Sequence, residues 1–170
     1  SPLIGENTIF TLSILTISDA GSRGERADTS GDAISEVMAA AGFEEVARDI
    51  IADERELIAK KLADLCDAGD VDLVVTTGGT GLGPRDVTPE ATRQVIDLEV
   101  PGMAEAMRME TLKNTPFAML SRSVAGVRNG CLIVNLPGSP SGVRETLEVA
   151  LRAMPHALEM IKGWRTHSVP

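Results

Sequence analysis

The chain has 170 residues, 43% of them hydrophobic, which suits a single domain over residues 1–170 with its own core. A net charge of -9 and an aromatic content of 2%, with no Tyr, argue against nucleic acid, whose phosphates would be repelled and whose bases would find no stacking platform. No apolar run reaches the roughly 18 residues of a membrane span, and the first residues lack the charged-then-apolar pattern of a secretory signal.

The stretch "FTLSILTIS" (Phe10 to Ser18) is apolar and β-branched and reads as a buried strand. A polar loop from Asp19 to Thr29 follows. Ile34, Val37, Met38 and Ala41 then recur at helical spacing, with Thr29 or Ser30 as the cap and Gly42 as the stop. "VARDIIA" (Val46 to Ala52) predicts a second strand, and Leu57, Ile58, Leu62, Leu65 and Cys66 mark a helix ending at Gly69. "VDLVVTT" predicts a third strand. A helix starts after Thr88 with Pro89 at its first position, where a missing N–H costs nothing.

"PGMAEAMRMETLK" reads as a Met-rich helix, "SVAGV" and "CLIVNL" as two more strands. A long helix begins near Ser141 and is kinked or split at Pro155. Alternating strands and helices predict a mostly parallel sheet covered on both faces. Ligands then bind beyond the carboxyl ends of the strands. Three loops leave those ends: Asp19 to Thr29, Thr76 to Thr88 and Pro137 to Ser141.

Cys66 and Cys131 are far apart and lack metal-ligand spacing, so they read as reduced, buried thiols of a cytoplasmic protein. His156 and His167 both lie near the C-terminus, away in sequence from any nucleophile, which leaves no plausible Ser-His triad.

The chemistry concentrates in "TTGGTGLGPRDVTPEA", Thr76 to Ala91. Glycines at 78, 79, 81 and 83 allow positive φ and close approach of a ligand to backbone N–H groups. With the following helix N-terminus they form a site suited to anions. Thr77 and Thr80 add hydroxyls. The glycines alone do not separate such a site from a tight strand-to-helix turn. Neither GxxxxGK[ST] nor a full GxGxxG is present, since no Lys follows and Pro84 fills the third glycine position.

Asp86 shifts the balance. Thr88 can already cap the helix, so Asp86 is not needed there. A carboxylate beside phosphates is repulsive unless a divalent cation lies between them, and Mg²⁺ takes one or two carboxylates plus phosphate oxygens. Arg85 offsets charge next door. Asp53 has two readings. "DERE" forms a capping box with Glu56, which is sufficient explanation; a second metal ligand requires its strand to lie beside the third.

Three stretches, "TTGGTGLGPRDVTPEAT", "TPFAMLSRSVAGVRN" and "LIVNLPGSPSGVRETLE", resemble the MogA/MoaB family of molybdenum-cofactor biosynthesis proteins. "TISDAGSRGERADTSG" and "IIADERELI" fit as well, so the resemblance runs from Ile14 to about Gly163. It implies a three-layer α/β/α fold with a mostly parallel central sheet, a homotrimer, and molybdopterin adenylyltransferase activity. In that reaction the terminal phosphate of molybdopterin attacks the α-phosphate of Mg·ATP. Adenylyl-molybdopterin then passes to a metal-insertion partner of the MoeA type.

By the same resemblance Asp53 and Asp86 are the catalytic, metal-associated acids, which favours the sharper reading of Asp53. Thr77, Gly78, Gly79, Thr80 and Gly81 take nucleotide phosphates, and Pro137, Gly138 and Ser139 border the nucleotide. Ser18, Asp19, Thr111, Ser121 and Arg122 fall on the substrate side, the last three where the family holds the pterin. Thr111 departs from relatives that carry serine, but keeps a hydroxyl. Two alternatives remain: a non-catalytic molybdopterin-binding or scaffold paralogue, which loss of either aspartate would signal, and a competence-damage-type amidohydrolase, whose glycine loop continues with a different acidic pair.

Overall fold

The structure, a computed structural model, describes residues 8–167, without the side chains of residues 164–167. His167 therefore lies outside the described side chains. The strands are β1 (Thr11–Ile17), β2 (Glu44–Ile51), β3 (Leu73–Thr77), β4 (Leu98–Glu99), β5 (Ala125–Arg128) and β6 (Cys131–Leu136). The helices are α1 (Asp19–Ser22), α2 (Thr29–Ala40), α3 (Arg55–Asp67), α4 (Thr88–Val95), α5 (Pro101–Thr111), α6 (Pro140–Leu151) and α7 (Met154–His167), with a 3₁₀ turn at Pro116–Leu120.

The sheet has six strands in the order β2-β1-β3-β6-β5-β4. β2, β1, β3 and β6 run parallel, and β5 and β4 add an antiparallel edge. Every residue of β3 and β6 is buried, as expected of strands covered on both faces. Alternation along the strands sorts the core into two layers. Leu12, Ile14, Leu73, Val75, Leu132 and Val134 pack with Ile34 and Met38 of α2, Met103 and Met107 of α5, and Val143 and Leu147 of α6. On the opposite face Leu15, Ile17, Val74 and Ile133 meet Ile58, Leu62 and Cys66 of α3 and Ala91 and Val95 of α4. Each fully buried Leu or Ile contributes about 1.5–3 kcal/mol.

Several local expectations give way. Asp28, not Thr29 or Ser30, caps α2, because its carboxylate reaches the Gly31 N–H at 3.0 Å while also accepting from the Thr16 hydroxyl at 2.8 Å. The loop after β1 holds the short α1, capped by Ser18. β5 and β6 form a hairpin across Asn129–Gly130, whose φ values of +47° and +77° suit a two-residue turn matched to strand twist. The break at Arg152–Ala153 separates α6 from α7, with Pro155 in the first turn of α7. Met103 and Met107 are core residues, whereas Met109 is 70% exposed.

Candidate active site

The carboxyl ends of β1, β3 and β6 bring α1, the loop from 78 to 87 and the turn at Pro137–Ser139 together, and the end of β2 adds Asp53. These loops approach very closely. A Cβ on Gly78 (φ +98°) would lie 2.3 Å from the Ile17 carbonyl, and one on Gly79 (φ +69°) would lie 2.3 Å from the Thr88 hydroxyl and 3.2 Å from Asp53 Oδ1. The Thr77 hydroxyl donates to the Pro137 carbonyl at 2.5 Å, and the Thr88 hydroxyl to the Gly78 carbonyl at 3.0 Å. Thr88 is thus the first residue of α4 and a strut for the loop. It does not cap the helix, contrary to the sequence expectation, and Val87 stands at the cap without a side-chain bond. Among the described residues, the N–H groups of Gly79, Thr80, Gly81 and Leu82 donate to no protein acceptor. They are the donors that an anion would meet.

Behind the loop lies a buried polar chain. Asn135 accepts from the Val124 N–H and donates to the Thr76 and Thr92 hydroxyls; Thr92 in turn donates to the Thr88 carbonyl. All of these side chains are buried and satisfied, so the chain fixes α4 and the loop rigidly against β3 and β6.

The capping reading of Asp53 fails. α3 begins at Arg55 with Glu54 at the cap and no side-chain cap bond. The Asp53 carboxylate instead accepts from the Asp19 N–H at 2.8 Å, and the Asp53 N–H donates to Asp19 Oδ1 at 3.0 Å. Adjacency to β3 is also unmet, since β2 pairs with β1 at the sheet edge. The Asp53 carboxylate nonetheless reaches Gly79 past the end of β1, and Asp53 and Asp86 line one cavity. Asp86 Oδ2 accepts from the Gly83 N–H at 2.9 Å, which holds it at the mouth of the glycine bend.

Burial pushes the Asp53 carboxyl above its ordinary pKa, and the carboxylates of Asp19 and Asp86 add to the effect against the pull of the Asp19 N–H. Asp19 goes the other way: Arg85 grips it through two bonds at 2.9 and 3.0 Å and holds its carboxyl below the usual range. Arg85 thus pairs with Asp19, while Asp53 and Asp86 make no ion pair among the described residues.

Two cavities meet at this point. One, of about 760 Å³, is lined by Thr80, Met107, Arg108, Thr111, Ser121 and Thr146 among others. The second, of about 680 Å³, is lined by Thr16, Ser18, Arg26, Asp28, Ser30 and Asp53 among others. Gly79, Asp86, Gly138 and Ser139 line both. Thr111 and Ser121 thus fall on one side and Ser18 on the other. Asp19 lines neither, being held by Arg85. Arg122 also lines neither: its guanidinium turns to the back of the glycine loop.

Sequence reasoning missed Arg26, an exposed cation on the second cavity that makes no ion pair among the described residues. Its position in a polar run gave no signal. It also missed the Ser30 hydroxyl, which donates to the Gly138 carbonyl at 2.5 Å and ties α2 to the β6 turn.

The strand ends of a mostly parallel α/β sheet thus carry N–H groups that donate to no protein acceptor among the described residues, the carboxylates of Asp53 and Asp86, and two joined cavities. The chain belongs to the MogA/MoaB family: residues 13–156 match the family described as "Probable molybdopterin binding domain". It is 48% identical over 154 residues to a molybdopterin adenylyltransferase of Helicobacter pylori, covering 89% of this chain and 88% of the relative. It is 37% identical over 174 residues to the molybdopterin adenylyltransferase of Escherichia coli K12, covering 94% and 89%. The crystal structure of the molybdopterin biosynthesis enzyme MoaB from Thermus thermophilus superposes with a TM-score of 0.86 at 54% identity, covering 91% of this chain and 98% of that one.

Proposed function

We propose that this protein is a molybdopterin adenylyltransferase of molybdenum-cofactor biosynthesis. It transfers AMP from ATP to the terminal phosphate of molybdopterin. The observation that carries the reading is the junction of the two cavities at Gly79, Asp86, Gly138 and Ser139. The larger cavity, with Thr111 and Ser121, takes molybdopterin. The smaller takes the nucleotide, whose phosphates lie against the loop from Thr77 to Gly81 with Pro137, Gly138 and Ser139 alongside. Arg26 offers that side a cation. The names of the Helicobacter and Escherichia relatives support the assignment.

In the reaction an oxygen of the molybdopterin phosphate forms a bond to the α-phosphorus of ATP. The bond from that phosphorus to the bridging oxygen breaks, and pyrophosphate leaves with the electron pair. The attacking oxygen is already anionic near neutral pH, so no strong general base is required. The protein contributes positioning and charge neutralisation, which dominate this class of transfer. The rigid polar chain behind the loop holds the N–H donors in place without reorganisation during the step.

A divalent cation fits as the companion of the nucleotide. Among the described residues no group of three or more His, Cys, Asp and Glu side chains could hold a metal on its own. Asp53 and Asp86 supply the one or two carboxylates that Mg²⁺ takes beside phosphate oxygens. Bound there, Mg²⁺ would neutralise charge on the phosphates. Burial is the main cause of the raised Asp53 pKa, and a bound cation would favour the ionised form that burial disfavours.

Homotrimer formation is part of the proposal, supported by exposed Met109, Phe117, Met119 and Leu120 on and after α5. A monomer in light scattering at micromolar concentration would refute it. The product calls for a metal-insertion partner of the MoeA type. Buried as thiols, Cys66 and Cys131 support a reducing, cytoplasmic setting.

The direct test is incubation with Mg·ATP and molybdopterin followed by mass analysis. Adenylyl-molybdopterin and pyrophosphate are expected in equal amounts. A folded protein that binds molybdopterin but forms no adduct would return the chain to the scaffold reading.

A further inference from the structure

Arg122 sits between the 3₁₀ turn and β5, one residue after Ser121 on the larger cavity. Its backbone N–H donates to the Thr80 carbonyl at 2.9 Å. Its Nε donates to the Gly81 carbonyl at 2.8 Å, and its Nη2 to the Asp86 carbonyl at 2.8 Å. The same guanidinium pairs with Glu90 of α4, Nη1 to Oε2 at 2.6 Å and Nη2 to Oε1 at 3.3 Å. One side chain therefore bridges both sides of the glycine bend and the helix that follows it. The pairing holds the Glu90 carboxyl below its usual range.

The segment is pinned from its other side as well. Arg108 of α5 donates to the Ser123 carbonyl at 2.9 Å, and the Ser121 hydroxyl donates to that of Ser123 at 3.1 Å. The wall of the larger cavity and the carbonyls of the glycine loop are thus linked through Arg122. Only a planar fork can serve two diverging carbonyls and a carboxylate together; a lysine ammonium is a point charge and lacks that geometry.

We infer that Arg122 is a positioning residue: it holds Asp86 and the glycine loop in their working geometry and ties them to the cavity wall at Ser121, without touching substrate itself. The inference rests on the proposed transfer for its consequence in turnover, and on the bonds alone for its consequence in loop rigidity. A displacement of about 1 Å in a positioned group costs on the order of 100-fold in rate. The loss should fall on kcat and leave molybdopterin affinity in place.

The experiment compares wild type, Arg122→Lys and Glu90→Gln in three measurements: thermal melts, molybdopterin affinity with kcat and KM for adenylyl transfer, and amide hydrogen exchange over residues 79–87. Arg122→Lys is expected to lower kcat about 100-fold, to change molybdopterin Kd less than about twofold, and to speed exchange in 79–87 at least tenfold with β1 and β3 unchanged. Glu90→Gln keeps an acceptor, so it should shift the same readouts in the same direction by less. It also serves if Arg122→Lys does not fold.

A raised molybdopterin Kd with unchanged kcat and unchanged exchange would make Arg122 a substrate ligand and overturn the inference. Wild-type exchange rates in both variants would overturn it too. If wild type makes no adduct but the variants loosen residues 79–87, the proposed activity fails and the positioning role stands.

Discussion

Gly69 and Gly79 both have positive φ, +83° and +69°. Gly69 ends the chain's run through α3, and a Cβ there would meet nothing within 4 Å. Gly79 leaves β3, and a Cβ there would strike the Thr88 hydroxyl and crowd Asp53. The first glycine is present for its dihedral alone. The second is present because strand, helix and carboxylate converge on a space with no room for a side chain. A helix stop and a turn at the candidate site can therefore share residue type and positive φ, and what separates them is the polar surroundings.

The sharpest way to break this comparison is to remove the carboxylates beside the second turn. Asp86→Ala and Asp53→Ala are each expected to slow single-turnover adenylyl transfer at least about 100-fold, the scale of losing one preorganised electrostatic contact. Molybdopterin affinity should hold, because Thr111 and Ser121 lie elsewhere on the cavity wall. Near-normal turnover in folded Asp86→Ala would end its proposed role.

Next in size is the glycine pair itself. Gly69→Ala should cost about 1–2 kcal/mol for its left-handed backbone and leave turnover untouched. Gly79→Ala bears that same cost and also displaces the Thr88 hydroxyl from the Gly78 carbonyl, together about 2–5 kcal/mol. Its turnover should fall on the order of 100-fold as the loop shifts. Equal turnover in the two variants, measured beside their melts, would erase the distinction. Thr88→Val leaves the glycine in place and removes only the strut. It should cost about 1–3 kcal/mol, for an acceptor left unpaired.

Much of this contrast was legible in the sequence, and what was not has physical causes. The apolar runs of β1, β3 and β6 carried the parallel sheet, and the glycines before Asp86 pointed to the candidate site at the strand ends. The hairpin at Asn129–Gly130 had its signal in the Asn-Gly pair between two apolar runs, and an αβ alternation masked it. β4 had none: its two residues exist by pairing Leu98 with Val127 and Glu99 with Gly126, not by propensity. "DERE" satisfied the capping pattern at Asp53, yet the Asp19 N–H, 34 residues away, won the carboxylate. Arg122 looked like a ligand because the resemblance placed it beside Ser121. Which way its guanidinium turns depends on the carbonyls of Gly81 and Asp86, which no local pattern encodes.

The smallest expected effect concerns stability and runs against intuition. Asp53→Asn keeps an oxygen that can accept from the Asp19 N–H and removes only the charge. Because burial and the neighbouring carboxylates raise the pKa of Asp53 in the folded protein, the folded state binds its proton more readily than the unfolded chain does. Its contribution to stability is therefore greatest in acid and declines as pH rises from the unfolded value, near 3.8, through the folded one. At neutral pH the ligand-free wild type carries the full cost of an ionised Asp53, and Asp53→Asn does not. The variant should then melt above wild type at pH 7, with the gap closing as pH falls through the same window. Asp19 and Glu90 behave oppositely, since their lowered pKa values give stability that is lost in acid. Glu90 is present in both proteins and cancels in the difference between the two melting curves, which reports Asp53 together with the neighbouring Asp19 carboxylate coupled to it. A variant that melts below wild type at pH 7 would show that the carboxylate stabilises this corner of the fold, and the case for Asp53 as a charge held ready for a cation would fall with it.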